Sequence, residues 1–153
     1  MKSTINVEKE HIKGIIKDID ETSYFTLDKS ATERKDLLLF AIALGLNEGN
    51  RTQLKTNEGL TRTDYVDKEL FMLQGIFYDK QIADNPEDID NITDKDAVLN
   101  LAEEYANTGF YRLKELKEEF PEDEILMTKL LNDMDRLYKD YFDTYGVKSI
   151  VAE

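Results

Sequence analysis

Between Leu37 and Leu46 the chain reads Leu-Leu-Leu-Phe-Ala-Ile-Ala-Leu-Gly-Leu, its one long run free of charged or strongly polar side chains. Wound as a helix, this run turns apolar groups to nearly every side, so other parts of the chain must wrap it. A bilayer-spanning helix needs roughly 20 apolar residues, about twice what is present. The run therefore predicts a buried core helix over about 31–45, and the remaining elements have to be arranged around it.

Those elements read as helices. Ile12, Ile15, Ile16 and Ile19 recur at helical spacing between charges, giving an amphipathic helix over about 8–20 that Gly14 weakens. Tyr24 and Phe25 favour a short extended piece over 23–27, and Ser30 with Glu33 forms a capping box ahead of the central helix. Gly45 or Gly49 is suited to end that helix. The stretch Leu46 to Leu60 is polar and irregular: a loop of a length that is more often functional than a plain connection, a hidden short hairpin, or a disordered segment. Thr61 or Thr63 caps a following helix that carries Tyr65, Val66, Leu70, Leu73 and Phe77. An acidic, breaker-rich connection with Asn85-Pro86 spans 79–96, and Thr93 with Asp96 signals the next helix start. That helix should break or kink at Thr108-Gly109. Pro121 suits the first position of a last helix rich in Leu and Tyr, closed by Gly146. The expectation is all-α: an irregular bundle of five or six helices, one domain over 1–153, with 1–7 and 147–153 as loose ends.

Composition removes several kinds of chemistry. The 153 residues contain no Cys, so disulfides, thiolate nucleophiles and Cys-based zinc sites are excluded. The cytoplasm is the expected compartment, and the N-terminal residues lack the apolar core of a signal peptide. Motifs that cradle phosphates or build a nucleophile elbow are missing, and no cofactor is expected. His11 is the sole histidine. With Glu8 it forms Glu-x-x-His, a spacing that puts two ligands on one helix face, but a di-iron bundle needs that pair twice. Flanked by charges, His11 reads as a solvent-facing side chain, and no metal site is expected. Calcium-loop registers starting at Asp84 or Asp88 place Ile89 or Thr93 where glycine belongs, and Lys95 or Leu99 where glutamate belongs. Gly59 to Val66 resembles, in isolation, the opening of the second helix of ribbon-helix-helix repressors. The 46–60 insertion has no place in that fold and a capped helix start explains the eight residues equally well, so no family is assigned.

Charge is the remaining clue. The net value of −13 argues against direct binding to a phosphate backbone, which draws on a positive surface. It either keeps a small protein soluble or marks a partner with a basic surface. The charge is also uneven: seven Lys/Arg face six Asp/Glu over 29–68, whereas two face nine over 79–107. Opposed patches of this kind are compatible with a homo-oligomer stacked head to tail. The leading expectation is a non-enzymatic interaction protein, a small subunit or inhibitor presenting Asp84, Glu87, Asp88, Asp90, Asp94 and Asp96 to a basic partner. If that partner handles DNA, the carboxylates would stand where phosphates lie. The alternative is a nucleic-acid-associated subunit touching phosphate through Arg51, Lys55 and Arg62.

Overall fold

The computed structural model describes residues 2–21 and 34–141. The extended piece expected over 23–27, the capping box at Ser30 and the tail over 147–153 lie outside these residues. The chain divides into two compact units, Met1–Glu115 and Leu116–Glu153. The described residues are mostly helical with one small two-stranded sheet.

That sheet is the first departure from an all-helical reading. Strand β1 (Thr4–Val7) pairs antiparallel with β2 (Glu58–Arg62) in the register Thr4 to Arg62, Ile5 to Thr61, Asn6 to Gly59 and Val7 to Glu58. The register shifts between Ile5 and Asn6, leaving Leu60 as the extra residue of a bulge. Ile5 and Val7 are buried on one side of the ribbon. The N-terminal residues are therefore not a loose end. Four residues show too little alternation to announce a strand, and the partner lies far along the chain. Part of the expected 46–60 loop is that partner.

Helix α1 runs through Lys9–His11, a π-helical stretch Ile12–Ile16 and Lys17–Asp20, and buries Ile15, Ile16 and Ile19 as their spacing predicts. Helix α2 (Arg34–Glu48) contains the apolar run. Leu37, Leu38, Ala41, Ile42 and Gly45 are buried, whereas Leu39, Phe40, Leu44 and Leu46 are half-buried. One side is thus sealed and the other only partly covered. Gly49 ends the helix at φ 80°, its amide donating to the carbonyls of Gly45 and Leu46. A 3-10 turn (Thr63–Glu69) leads into α3 (Leu70–Phe77), which continues as a π turn (Tyr78–Ile82). Val66, Leu73, Phe77 and Ile82 are its buried positions. Neither threonine caps this segment: Thr61 lies in β2, and the Thr63 hydroxyl donates to the Lys2 carbonyl instead. A second 3-10 turn (Pro86–Thr93) carries the acidic sequence.

Helix α4 (Lys95–Glu119) follows without interruption. Its cap is Asp94 rather than Thr93, with Oδ1 accepting from the amides of Asp96 and Ala97 at 3.0 and 3.3 Å. From Leu101 to Phe110 every side chain except Glu104 is buried, so the most enclosed helix is α4, not α2. Gly109 does not break it. A Cβ built on Gly109 would lie 1.8 Å from the Ala41 carbonyl oxygen, and one on Gly45 would lie 1.8 Å from the Tyr105 carbonyl oxygen. The two glycines face each other's helix, and α2 and α4 cross with their backbones in contact. Here glycine serves as an absence of volume, not as a flexible joint. The last helix, α5 (Asp123–Tyr141), starts two residues after Pro121 and buries Leu126 and Leu130. Among the described residues no helix is long and apolar enough to cross a membrane.

Replacing Gly109 or Gly45 with alanine should cost more than about 2 kcal/mol, because rigid carbonyls must move apart, despite a gain of about 1 kcal/mol in helix propensity. Gly14→Ala, with nothing within 4 Å of the added carbon, should be neutral or stabilising. Urea midpoints of the three variants check this, and a fully stable Gly109→Ala protein would rule out the close crossing.

Candidate functional site

Along α4 the residues Asp96, Glu103, Asn107 and Tyr111 are spaced by seven, four and four, which places them on one face. Each engages the N-terminal segment. The Lys2 amide donates to Asp96 Oδ1 at 2.9 Å, and Glu103 Oε1 takes the Asn6 amide and Lys2 Nζ, both at 2.7 Å. Burial raises the Glu103 pKa, and Lys2 and the Asn6 amide work against that rise.

The deepest part of this face surrounds His11, which is 1% exposed and so contradicts the solvent-facing expectation. It lies one turn before Ile15 on the buried side of α1, and its ring meets Tyr111 edge-on with centroids 4.5 Å apart. The Asn107 amide nitrogen faces Glu8 Oε1 at 3.0 Å and the carbonyls of Thr52 and Gln53 at 3.1 and 3.4 Å. With all those acceptors on the nitrogen side, Asn107 Oδ1 points to His11 Nε2 at 2.7 Å, and the imidazole donates. Glu8 is completed by the Lys55 amide at 3.1 Å and by the Tyr111 hydroxyl, which also reaches Glu10. Thr52 adds its amide to the Glu104 carbonyl and its hydroxyl to Thr108. The 50–57 stretch is thereby sewn onto α4 and the start of α1.

Burial disfavours the charged form of Glu8, but the hydrogen bonds from Tyr111, the Lys55 amide and Asn107 outweigh it and hold its pKa at about 2. Burial lowers the His11 pKa, with the Asn107 contact opposing. Burial, then the two glutamates, push the Tyr111 hydroxyl above its ordinary value. Glu8, Glu10 and His11 bring three ligand atoms within 4.8 Å of one another, the one arrangement among the described residues with metal-site spacing. With His11 Nε2 donating to Asn107 and Glu8 accepting from Tyr111, Asn107 and the Lys55 amide, the three groups form part of a hydrogen-bonded clamp. Sequence reasoning missed Asn107 and Tyr111. Their signal was a polar side chain at every fourth position, 103, 107 and 111, within the mostly buried stretch from Leu101 to Leu113.

The acidic residues do not form one free patch. Asp94 is spent on the α4 cap and Asp96 on the Lys2 amide, and Asp88 accepts from the Gln81 amide at 2.8 Å. Asp84, Glu87 and Asp90 are exposed, and no hydrogen bond or ion pair engages their carboxylates among the described residues. The basic candidates are also separated. Arg51 pairs with Glu104 at 3.5 Å and Arg62 with Asp64 at 2.7 Å, while Lys55 sits beside Glu8, Glu10, Lys9 and Lys13 in a depression of about 420 Å³. A larger cleft of about 720 Å³ gathers Arg62 with Arg34 and Lys35, but Arg34 is bonded to both oxygens of Asp20 and Lys35 to Glu69. Comparison with known protein families, with curated proteins and with solved structures finds no match.

The depressed Glu8 and His11 values carry one sign: the unfolded chain takes up protons first, so stability present near neutrality is lost on acidification. The loss begins near the ordinary histidine value and continues below the ordinary carboxylate value toward about 2. Glu103, raised, works in the opposite direction. Urea midpoints should fall from pH 7 to pH 3, and Glu8→Gln should flatten the acid limb while losing about 1–3 kcal/mol at pH 7. An unaltered acid limb in that variant would refute the assignment.

Proposed function

We propose that this protein is a non-enzymatic interaction module that uses an acidic surface to bind a partner with a basic one. The observation that carries the reading is the 3-10 turn Pro86–Thr93 and its approaches. Over 78–94 six acidic residues accompany a single lysine, and Asp84, Glu87 and Asp90 point their carboxylates to solvent with no internal task. Unspent surface charge of one sign steers and orients a partner of the opposite sign.

The enzymatic alternative lacks support in the geometry. The best-formed polar cluster, Glu8–His11–Asn107–Tyr111, is sealed at its centre, with Glu8, His11 and Asn107 all buried and mutually satisfied. Groups satisfied in that way hold a fold together, and the depression beside them meets a Glu8 carboxylate that already accepts from the Lys55 amide, Asn107 and Tyr111. Contact with phosphate through Arg51 and Arg62 is likewise disfavoured, because both guanidiniums already face carboxylates. Where the partner itself handles nucleic acid, the exposed acids would compete with phosphates for its groove.

The test is affinity capture from native host extract at low and high salt, followed by identification of the captured protein. Its binding should weaken roughly tenfold or more on combined Asp84→Lys, Glu87→Lys and Asp90→Lys reversal, and lose its salt dependence. The same reversal at Asp133 and Asp135 on α5 should change little. Equal binding by all three proteins would remove the proposal.

A further inference from the structure

Helix α3 and its π-turn continuation leave large apolar side chains exposed. Phe71 is 87% exposed, Met72 50% and Tyr78 51%. Phe71, Gly75 and Tyr78 are spaced by four and three residues, so they line one face over two turns. Gly75 lies between the two rings. A mid-helix glycine weakens its helix; at positions 45 and 109 a neighbouring carbonyl explains it, whereas Gly75, like Gly14, has no such neighbour, and only Gly75 is flanked by exposed aromatics. At Gly75 an added Cβ would meet nothing within 4 Å. Packing among the described residues therefore does not account for the notch between the two aromatics.

We propose that Phe71, Gly75 and Tyr78 form the apolar seat of the interaction surface: a bulky apolar side chain of the basic partner rests on Gly75 between the two rings. The inference rests on the acidic-surface reading and adds the contact that supplies most of the affinity. Its occupant follows from charge. The 3-10 turn Pro86–Thr93 packs against α3 and the π turn, linked by Gln74 donating to the Ile92 carbonyl at 3.0 Å and by Gln81 to Asp88. The turn carries the exposed Glu87, Asp90 and Ile89. Close to the seat, Asp67 and Asp79 are paired with Lys95 and Lys80, and Lys68 is exposed, so the negative rim comes from the turn. An apolar centre with an acidic rim fits an apolar anchor ringed by Lys or Arg. A second copy of this chain, at net charge −13, is the wrong partner.

The experiment measures binding of a fluorescent Leu–Lys amphipathic helix of about 20 residues to the full-length protein, with a Gly–Lys peptide of equal charge as control. The wild type should prefer the Leu–Lys helix. Gly75→Ala should raise the melting temperature by roughly a few degrees while weakening that binding about tenfold, and Phe71→Ala should weaken it similarly. A structural glycine could not produce that opposition of stability and affinity. Unchanged binding by both variants, with loss only in the Asp84/Glu87/Asp90 reversal, would overturn this inference and leave the acidic reading intact. Loss in the two variants with no effect of the reversal would overturn the acidic reading instead. Failure of the wild type to discriminate the two peptides, or self-association that Phe71→Ala abolishes, would also overturn the inference.

Discussion

A carboxylate shut away from water has to be met by donors on every side, and around Glu8 three distant stretches meet that requirement together. Tyr111 and Asn107 come from α4, the Lys55 amide from the 50–57 stretch, and Glu8 itself from the turn between β1 and α1. Losing any one donor would leave a buried charge short of a partner, which costs more than an ordinary hydrogen bond is worth. The arrangement therefore acts as a three-way pin. It explains why a polar stretch without regular structure nonetheless follows a defined path across α4.

The pin is tied to the packing of the two main helices. Asn107 sits midway between Tyr105, whose carbonyl faces Gly45, and Gly109, which faces the Ala41 carbonyl. Spreading α2 from α4 by a single methyl group would thus shift the residue that orients His11, Glu8 and the Thr52 and Gln53 carbonyls. Close packing and polar satisfaction are not independent here; each fixes the other's geometry. Around α3 no comparable contact appears among the described residues, and Phe71 and Tyr78 stay exposed.

How far the residues foretold this depends on the range of the interaction. The isoleucines of α1 and the apolar positions Leu70, Leu73 and Phe77 of α3 were legible because helical spacing is a local property. Gly49 as a terminator was among two options that the sequence offered. The strand Thr4–Val7 was illegible because its evidence lies in Glu58–Arg62, and a four-residue segment carries almost no signal of its own. His11 misled for a related reason: charged neighbours in sequence suggested solvent, whereas its actual neighbours are Asn107 and Tyr111. Gly109 was read as a break because glycine's two uses, freedom of backbone and lack of volume, look alike in one dimension. The acidic run was visible as composition, but not that Asp94 caps α4 or that Asp96 holds the Lys2 amide.

The pairing of β1 with β2, and of the first residues with α4, has a consequence for synthesis. A chain emerging from the ribosome presents Ile5, Val7, Glu8 and His11 long before Asn107 and Tyr111 exist to receive them. Contacts this remote in sequence form late, after the intervening loop entropy has been overcome. Until the translation machinery has released α4, the opening segment has no permanent home. Its docking onto α4 therefore belongs to the late steps in the folding of the first unit.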